Sequence, residues 1–258
     1  MTARALILMY HSIAEPSAAA EARLCVRPRE FARQMRWLRS HCAPVDLDRV
    51  VDGLAGGDPL PANAVAVTFD DGFADVREHA LPALRDHAIP ATLYAVAGLS
   101  GRTAEWLAPH GIAPRRLMSE EELRALDRAG IAIGSHTLTH PQLPGLSRPK
   151  LTREVADSRC ALEQAIGRPV RHFAYPYGAY DEPAKEAVRE AGYASAVTTR
   201  SGFNAPGADL LELRRIDVLG TDSLSQFRRK VEFGATTVGT GLLLRYYAGR
   251  VLDRLRPP

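Results

Sequence analysis

Three short stretches of the chain hold residue types that can do chemistry together. The first is Asp70-Asp71-Gly72, which follows the apolar run Ala64-Val65-Ala66-Val67-Thr68-Phe69. Adjacent carboxylates repel each other, and a glycine after them lets the backbone turn so that both can face one spot; a cation or a proton relieves the repulsion. Alone, the motif is more often a solvated Asp-Asp-Gly turn. The second stretch is Gly134-Ser135-His136-Thr137-Leu138-Thr139-His140-Pro141. Histidines four apart lie on one side of a helical turn with Cβ atoms about 5–6 Å apart, close enough to share one ion. Pro141 disfavours a helical conformation at His140, so a tight non-helical turn is the alternative. Such a pair in isolation is more often a pair of surface histidines than of ligands. Two histidines plus a carboxylate, each just past an apolar strand, make a facial set with open positions, as a catalytic zinc or another divalent metal requires. The third stretch is Phe173-Ala174-Tyr175-Pro176-Tyr177-Gly178. Proline fixes its own φ and holds the preceding residue extended, so the N–H of Tyr177 can be aimed at a developing oxyanion. An aromatic wall that binds sugar would read the same.

Each stretch sits at the end of a run of strand length. Seven such runs occur, at residues 5–10, 64–69, 91–97, 131–134, 172–175, 195–198 and 213–218, and helical patterns lie between them at 28–40, 76–87, 119–129, 150–166 and 183–191. Ser119-Glu120-Glu121-Glu122 is a capping box and Gly130 a left-handed stop. Strands alternating with helices imply parallel pairing through right-handed crossovers, hence an α/β barrel or open sheet, and a barrel keeps its chemistry at the carboxyl ends of its strands. No repeat or internal boundary is visible up to residue 222. The stretch from Ser223 differs: it is rich in arginine (Arg245, Arg250, Arg254, Arg256) and contains Leu242-Leu243-Leu244 and Tyr246-Tyr247. It is expected to be a helical tail over 223–258 that either packs on the barrel or lies on a membrane surface.

Composition narrows the functions. The chain has 258 residues, 46% hydrophobic and 24% charged, which excludes general disorder, and 33 Lys+Arg against 30 Asp+Glu leave +3, too weak a bias to make nucleic acid the expected partner. Cys25, Cys42 and Cys160 form an odd set without Cys-x-x-Cys spacing, so neither a disulfide framework nor a thiolate metal site is indicated, and buried hydrophobic roles are expected. The apolar start, Ala5-Leu6-Ile7-Leu8-Met9, is shorter than a signal-peptide core, and no run of eighteen apolar residues appears. The expected location is the cytoplasm, with contact at the inner face of the membrane through the tail as an option.

Thr68-Phe69-Asp70-Asp71-Gly72, Ser135-His136-Thr137-Leu138-Thr139-His140 and Phe173-Ala174-Tyr175-Pro176-Tyr177-Gly178, in that order, resemble the polysaccharide deacetylase family with its NodB-homology domain, carbohydrate esterase family four. Met9-Tyr10-His11-Ser12-Ile13, Ala80-Leu81-Pro82-Ala83-Leu84 with Ile89-Pro90-Ala91-Thr92, and Gly192-Tyr193 extend the likeness to about Val218. The resemblance implies a distorted, incomplete (β/α) barrel over 1–222. It also implies a divalent metal, zinc with cobalt or nickel as alternatives, held by Asp71, His136 and His140, with Asp70 as general base and the Tyr177 N–H at the oxyanion. The implied reaction is hydrolysis of an N-acetyl group on an amino sugar in a glycan, glycolipid or lipid-linked saccharide.

Two departures bear on this expectation. The arginine that opens the third motif in many members is replaced by Ala174, and Arg215 in Leu213-Arg214-Arg215-Ile216 resembles the arginine of the branch with Phe-Ala-Tyr-Pro-Tyr-Gly, which implies that it orients the base; a surface ion pair is the alternative. The family's final Leu-x-His is absent, since no histidine follows His172. An amide expels its amine only when the nitrogen is protonated, so His11 at the end of the first strand, or Asp70 returning its proton, must serve. Other readings on the same fold are an O-acetyl esterase, a deformylase of a lipid-linked amino sugar, a cyclic amidase, or a catalytically weak carbohydrate-binding protein. The sequence is silent on oligomeric state.

Overall fold

Alternation along buried strands decides which side chains enter the middle of this fold. The computed structural model describes residues 4–237; the tail positions Leu242, Leu243, Leu244, Tyr246, Tyr247, Arg245, Arg250, Arg254 and Arg256 lie outside them. Ten strands occur in chain order: β1 (Ala5–Tyr10), β2 (Ser12–Ile13), β3 (Cys25–Val26), β4 (Ala43–Pro44), β5 (Ala64–Phe69), β6 (Ala91–Ala95), β7 (Ala132–Ser135), β8 (His172–Ala174), β9 (Ser195–Val197) and β10 (Ile216–Asp217). Seven of them form one curled parallel sheet in the order β10-β1-β5-β6-β7-β8-β9; β4 pairs the start of β5, and β2 and β3 pair separately. The two ends of the sheet meet through a single parallel bridge, Val197 with Leu213, so the barrel is distorted and incompletely closed. All seven expected strands are present. The seventh shrinks to two residues because the Arg214 N–H donates to Asn204 Oδ1 (2.9 Å) and the Arg215 N–H to Arg200 O (2.9 Å) rather than to the ladder.

On β1, Leu6, Leu8 and Tyr10 join the large core under the helices, while Ala5 and Ile7 join a smaller core inside the barrel; on β5 Val65, Val67 and Phe69 face the helices, and Ala64 and Ala66 face inward. Tyr94 of β6, Ala174 of β8, Val197 of β9 and Leu213 share the inner core. Side chains of a strand repeat every second residue, so continuing each inner series past the strand end reaches His11, Asp70, His136 and Arg215. The barrel is narrow enough that Gly134 has no room for a side chain: a Cβ there would stand 2.5 Å from the Tyr94 ring.

The helices are α1 (Pro28–His41), α2 (Leu47–Leu54), α3 (Leu81–Asp86), α4 (Glu120–Arg128), α5 (Arg148–Thr152), α6 (Ser158–Ile166), α7 (Glu182–Glu190) and α8 (Leu224–Phe233). The capping box forms as expected, with Ser119 Oγ accepting from the Glu122 N–H and Glu122 Oε2 from the Ser119 N–H (2.9 Å). Two expected helices contain a widened turn. Residues Val76–Ala80 precede Pro82, which has no N–H to return to Glu78, and Arg153–Asp157 joins α5 to α6. α2 has no counterpart among the expected helices; Asp46 Oδ1 caps it by accepting from the Arg49 N–H (2.6 Å). The first turns of the tail form α8, which buries Phe227 and Val231 and sets Phe227 edge-on to Trp37 of α1 at 5.9 Å. Cys25 is buried as expected and Cys42 half-buried, but Cys160 is exposed on α6; all three are free thiols. Among the described residues no helix is long and apolar enough to cross a membrane.

Candidate metal centre and active site

At the end of β5 the chain turns sharply. Asp71 adopts φ 69° and Gly72 φ 79°, and a Cβ on Gly72 would stand 3.2 Å from the Ala95 backbone, so the left-handed conformation and the tight approach both favour glycine there. The turn sends the two carboxylates to different partners. Asp70 meets Arg215 in a two-pronged pair, Nη1 to Oδ1 at 2.6 Å and Nη2 to Oδ2 at 2.7 Å, and both side chains are buried. Arg215 is itself fixed by Nε donating to Thr198 O (3.0 Å) and Nη1 to Thr68 Oγ1 (3.3 Å). Burial alone would push the Asp70 carboxyl up; the guanidinium of Arg215, aided by His136 and His11, overrides this and holds it well below the usual carboxylate range. The expected orienting arginine is therefore in contact with Asp70, and the surface ion-pair alternative is excluded.

Asp71 Oδ1 lies 3.5 Å from His136 Nε2 and 3.3 Å from His140 Nε2, and the ligand atoms of the three residues all fall within 4.8 Å of one another. His136 Nδ1 stands 2.8 Å from Ala174 O, and since a carbonyl can only accept, Nδ1 carries the proton. Neutral His136 then turns the lone pair of Nε2 toward a carboxylate oxygen, and burial keeps it neutral by pushing its pKa down to about 4. Two acceptors facing each other with no hydrogen between them, beside a second imidazole, fit a divalent cation of the nitrogen- and oxygen-loving kind.

The second histidine follows the non-helical alternative. Thr137 and His140 have φ 67° and 64°, and the turn is closed by the His140 N–H donating to Thr137 Oγ1 (2.9 Å). Glu154, in the widened turn before α6, secures it from behind: Oε2 accepts from the N–H groups of Leu138 (3.0 Å) and Thr139 (2.9 Å), and Oε1 from Thr139 Oγ1 (2.7 Å). Nothing in the spacing of Glu154 from His140 marked this role.

His11, Asp70, Asp71, His136, His140 and Tyr177 line one small cavity of about 140 Å³ at the carboxyl ends of the strands. Tyr177 is 46% exposed, has φ 60° and ψ 6°, and sets its ring 4.8 Å from that of His140. His172, by contrast, lies at the opposite end of β8, with Nδ1 2.9 Å from Ser195 Oγ, and takes no part. The cavity also holds Leu24, Thr199 and three residues of the segment between β6 and α4: Trp106, Leu107 and His110. Their one sequence signal is that about twenty residues without strand or helix period separate the run at 91–97 from the capping box, and loops of that length in a compact domain are commonly functional.

Residues 57–196 match the polysaccharide deacetylase family. The Bacillus subtilis protein YxkH is 28% identical over 227 residues, 88% of this chain and 75% of that protein. The poly-beta-1,6-N-acetyl-D-glucosamine N-deacetylase of Staphylococcus epidermidis is 25% identical over 201 residues, 74% of this chain and 67% of that one. Among solved structures, the Streptococcus pyogenes deacetylase PplD in complex with acetate superposes with a TM-score of 0.77 at 25% identity, covering 90% of this chain and 99% of that one.

Proposed function

The chain belongs to the polysaccharide deacetylase family, and from that premise we propose that it hydrolyses N-acetyl groups on amino sugars in a glycan, glycolipid or lipid-linked saccharide, with zinc as its resident metal. The observation that carries this reading is the convergence of Asp71, His136 and His140 within 4.8 Å, next to a carboxylate, Asp70, that is committed to a buried arginine. A divalent ion held by Asp71, His136 and His140 would acidify a water molecule and draw charge from the acyl oxygen. The chain supplies the rest. Asp70, ionised and held still by Arg215, accepts the proton of the attacking water on a carboxylate oxygen. The Tyr177 N–H donates to the oxygen that gains charge. His11, in the same cavity, gives a ring N–H proton to the departing amine nitrogen, the task the absent terminal histidine leaves open. The Tyr177 and Trp106 rings form the wall against which a sugar face rests.

An N-acetylglucosamine polymer such as that named for the Staphylococcus epidermidis relative is the first substrate to try. Residues 1–222 are assigned as the catalytic domain and 223–258 as a tail whose arginines, with the exposed Arg228 and Arg229 of α8, suit peripheral contact with an anionic membrane; flotation with anionic vesicles tests that contact. The enzymatic reading is tested by metal analysis of the purified protein and by acetate release from N-acetylglucosamine oligomers and lipid-linked amino sugars. Release should stop with a strong chelator and return with zinc or cobalt. Absence of acetate from every substrate by metal-loaded protein refutes it.

A further inference from the structure

The two histidines of the centre are held in different ways. His136 has the arrangement usual for a metal ligand, in which the ring nitrogen remote from the metal donates to a carbonyl. The other ring nitrogen of His140, Nδ1, is buried and has no hydrogen-bond partner among the described residues. What the His140 imidazole has instead is the indole of Trp106, stacked on it with centroids 4.3 Å apart and planes 20° from parallel, with Tyr177 against it at 4.8 Å.

Trp106 does not reach the site by chance of a loose loop. Its segment, residues 97–117, has a small core of its own, in which Ala104, Leu107 and Leu117 pack on Phe73, the residue after Gly72. The stem is hydrogen-bonded to the turn that carries Asp71: the Met118 N–H donates to Gly72 O (2.9 Å) and the Ala74 N–H to Arg116 O (3.0 Å). Arg115 ties the same stem to Asp75 (3.1 Å) and to Glu21 (3.2 Å), and Asp75 in turn accepts from Ser12 Oγ (2.8 Å), next to His11. One flap thus fixes the turn of one ligand and covers the ring of another.

We propose that Trp106 is a positioning residue of the metal centre: presented by the 97–117 flap, its indole holds the His140 imidazole in coordinating orientation by stacking, where a hydrogen bond would ordinarily do so. The proposal rests on the metal-centre reading. Stacking fixes the plane of a ring without consuming its nitrogen, so the flap and the bound ion become linked: a change in one is felt in the other.

Zinc affinity, measured by competition with a chromophoric chelator, tests this. Trp106→Ala should weaken zinc binding by about 10–100-fold, the usual cost of losing an outer partner of a metal ligand, while Trp106→Phe, which keeps a ring able to stack, should retain most of the affinity. A second measurement does not depend on a truncated variant. The chain has two tryptophans, so in Trp37→Phe all indole emission comes from Trp106, and cobalt should quench it with the midpoint found for metal binding. Unchanged zinc affinity in Trp106→Ala, even with a lowered Tm, or a Trp106 emission blind to bound cobalt, overturns the proposal. If the parent protein binds no metal, the centre itself is refuted, which is a separate result.

Discussion

Replacing Arg215 with methionine would leave Asp70 charged and buried with its main partner gone. Both groups are buried, the two contacts are 2.6 and 2.7 Å, and the guanidinium also donates to Thr198 O. Removing one partner of such a pair costs about 3–5 kcal/mol, against the roughly 0–1 kcal/mol of a surface pair. Part of that cost reappears as a rise of the Asp70 pKa from its depressed position once the guanidinium is gone. The sign follows from linkage: in the parent, a carboxyl held low in the fold contributes stability that is full above the ordinary aspartate range and is lost as pH falls from that range through the lowered value of the fold. In Arg215→Met the deficit is therefore greatest at neutral pH and shrinks on acidification, and the acidic limb of acetate release moves upward. Urea unfolding of the parent, Arg215→Met, Asp70→Asn and the double variant provides the assay. The double variant, with no charge left to bury alone, should regain most of the loss while remaining inactive. A deficit below about 1 kcal/mol, or a double variant no more stable than Arg215→Met, would refute the assignment of Arg215 as the buried clamp on the base.

Three other outcomes are expected. His11→Asn should lower kcat for an N-acetyl substrate far more than for an activated O-acetyl ester, whose leaving group needs no proton; equal losses on both would remove His11 as the acid. Glu154→Ala, which strips three hydrogen bonds from the 137–140 turn, should weaken zinc binding by about 10–100-fold, with Glu154→Gln intermediate because its carbonyl can still accept; equilibrium dialysis decides. Glu122 is drawn down to about 2 chiefly by the hydrogen bond from Arg116, with the Ser119 N–H assisting, against the opposing effect of burial. Its contribution is complete above pH about 4.5 and fades toward pH 2. A Tm series should show Glu122→Gln less stable than the parent at neutral pH and losing less than the parent across that window.

The legible part of the site is the part carried on strands. Asp70, Asp71, His136 and Tyr177 each follow an apolar run, and the run length places them at one rim. Arg215 was legible only through the family resemblance, with a surface ion pair left open beside it; the structure adds that Leu213 two residues earlier faces the inner core, although the strand itself nearly dissolves. At His140 the spacing left two conformations open; Pro141 disfavours the helical one, and the left-handed turn that forms is closed by the Thr137 hydroxyl. Glu154 and Trp106 were not legible. One acts from a helix whose widened turn has no proline or glycine within it, and the other comes from a stretch without period whose packing partner, Phe73, lies more than thirty residues earlier. Local pattern cannot report a contact that exists only after the flap has folded back on the strand ends.

The shared parity of His11, Asp70, His136 and Arg215 restricts how such a protein can vary. Adding or deleting a single residue inside β1 or β5 would exchange Tyr10 for His11, or Phe69 for Asp70, at the mouth, trading an imidazole or a carboxylate for a greasy ring. Strand lengths are therefore fixed by the site, whereas loops that do not touch it can gain or lose residues without disturbing that frame. Diversification toward new glycans is open to this architecture along its loops and closed to it along its staves.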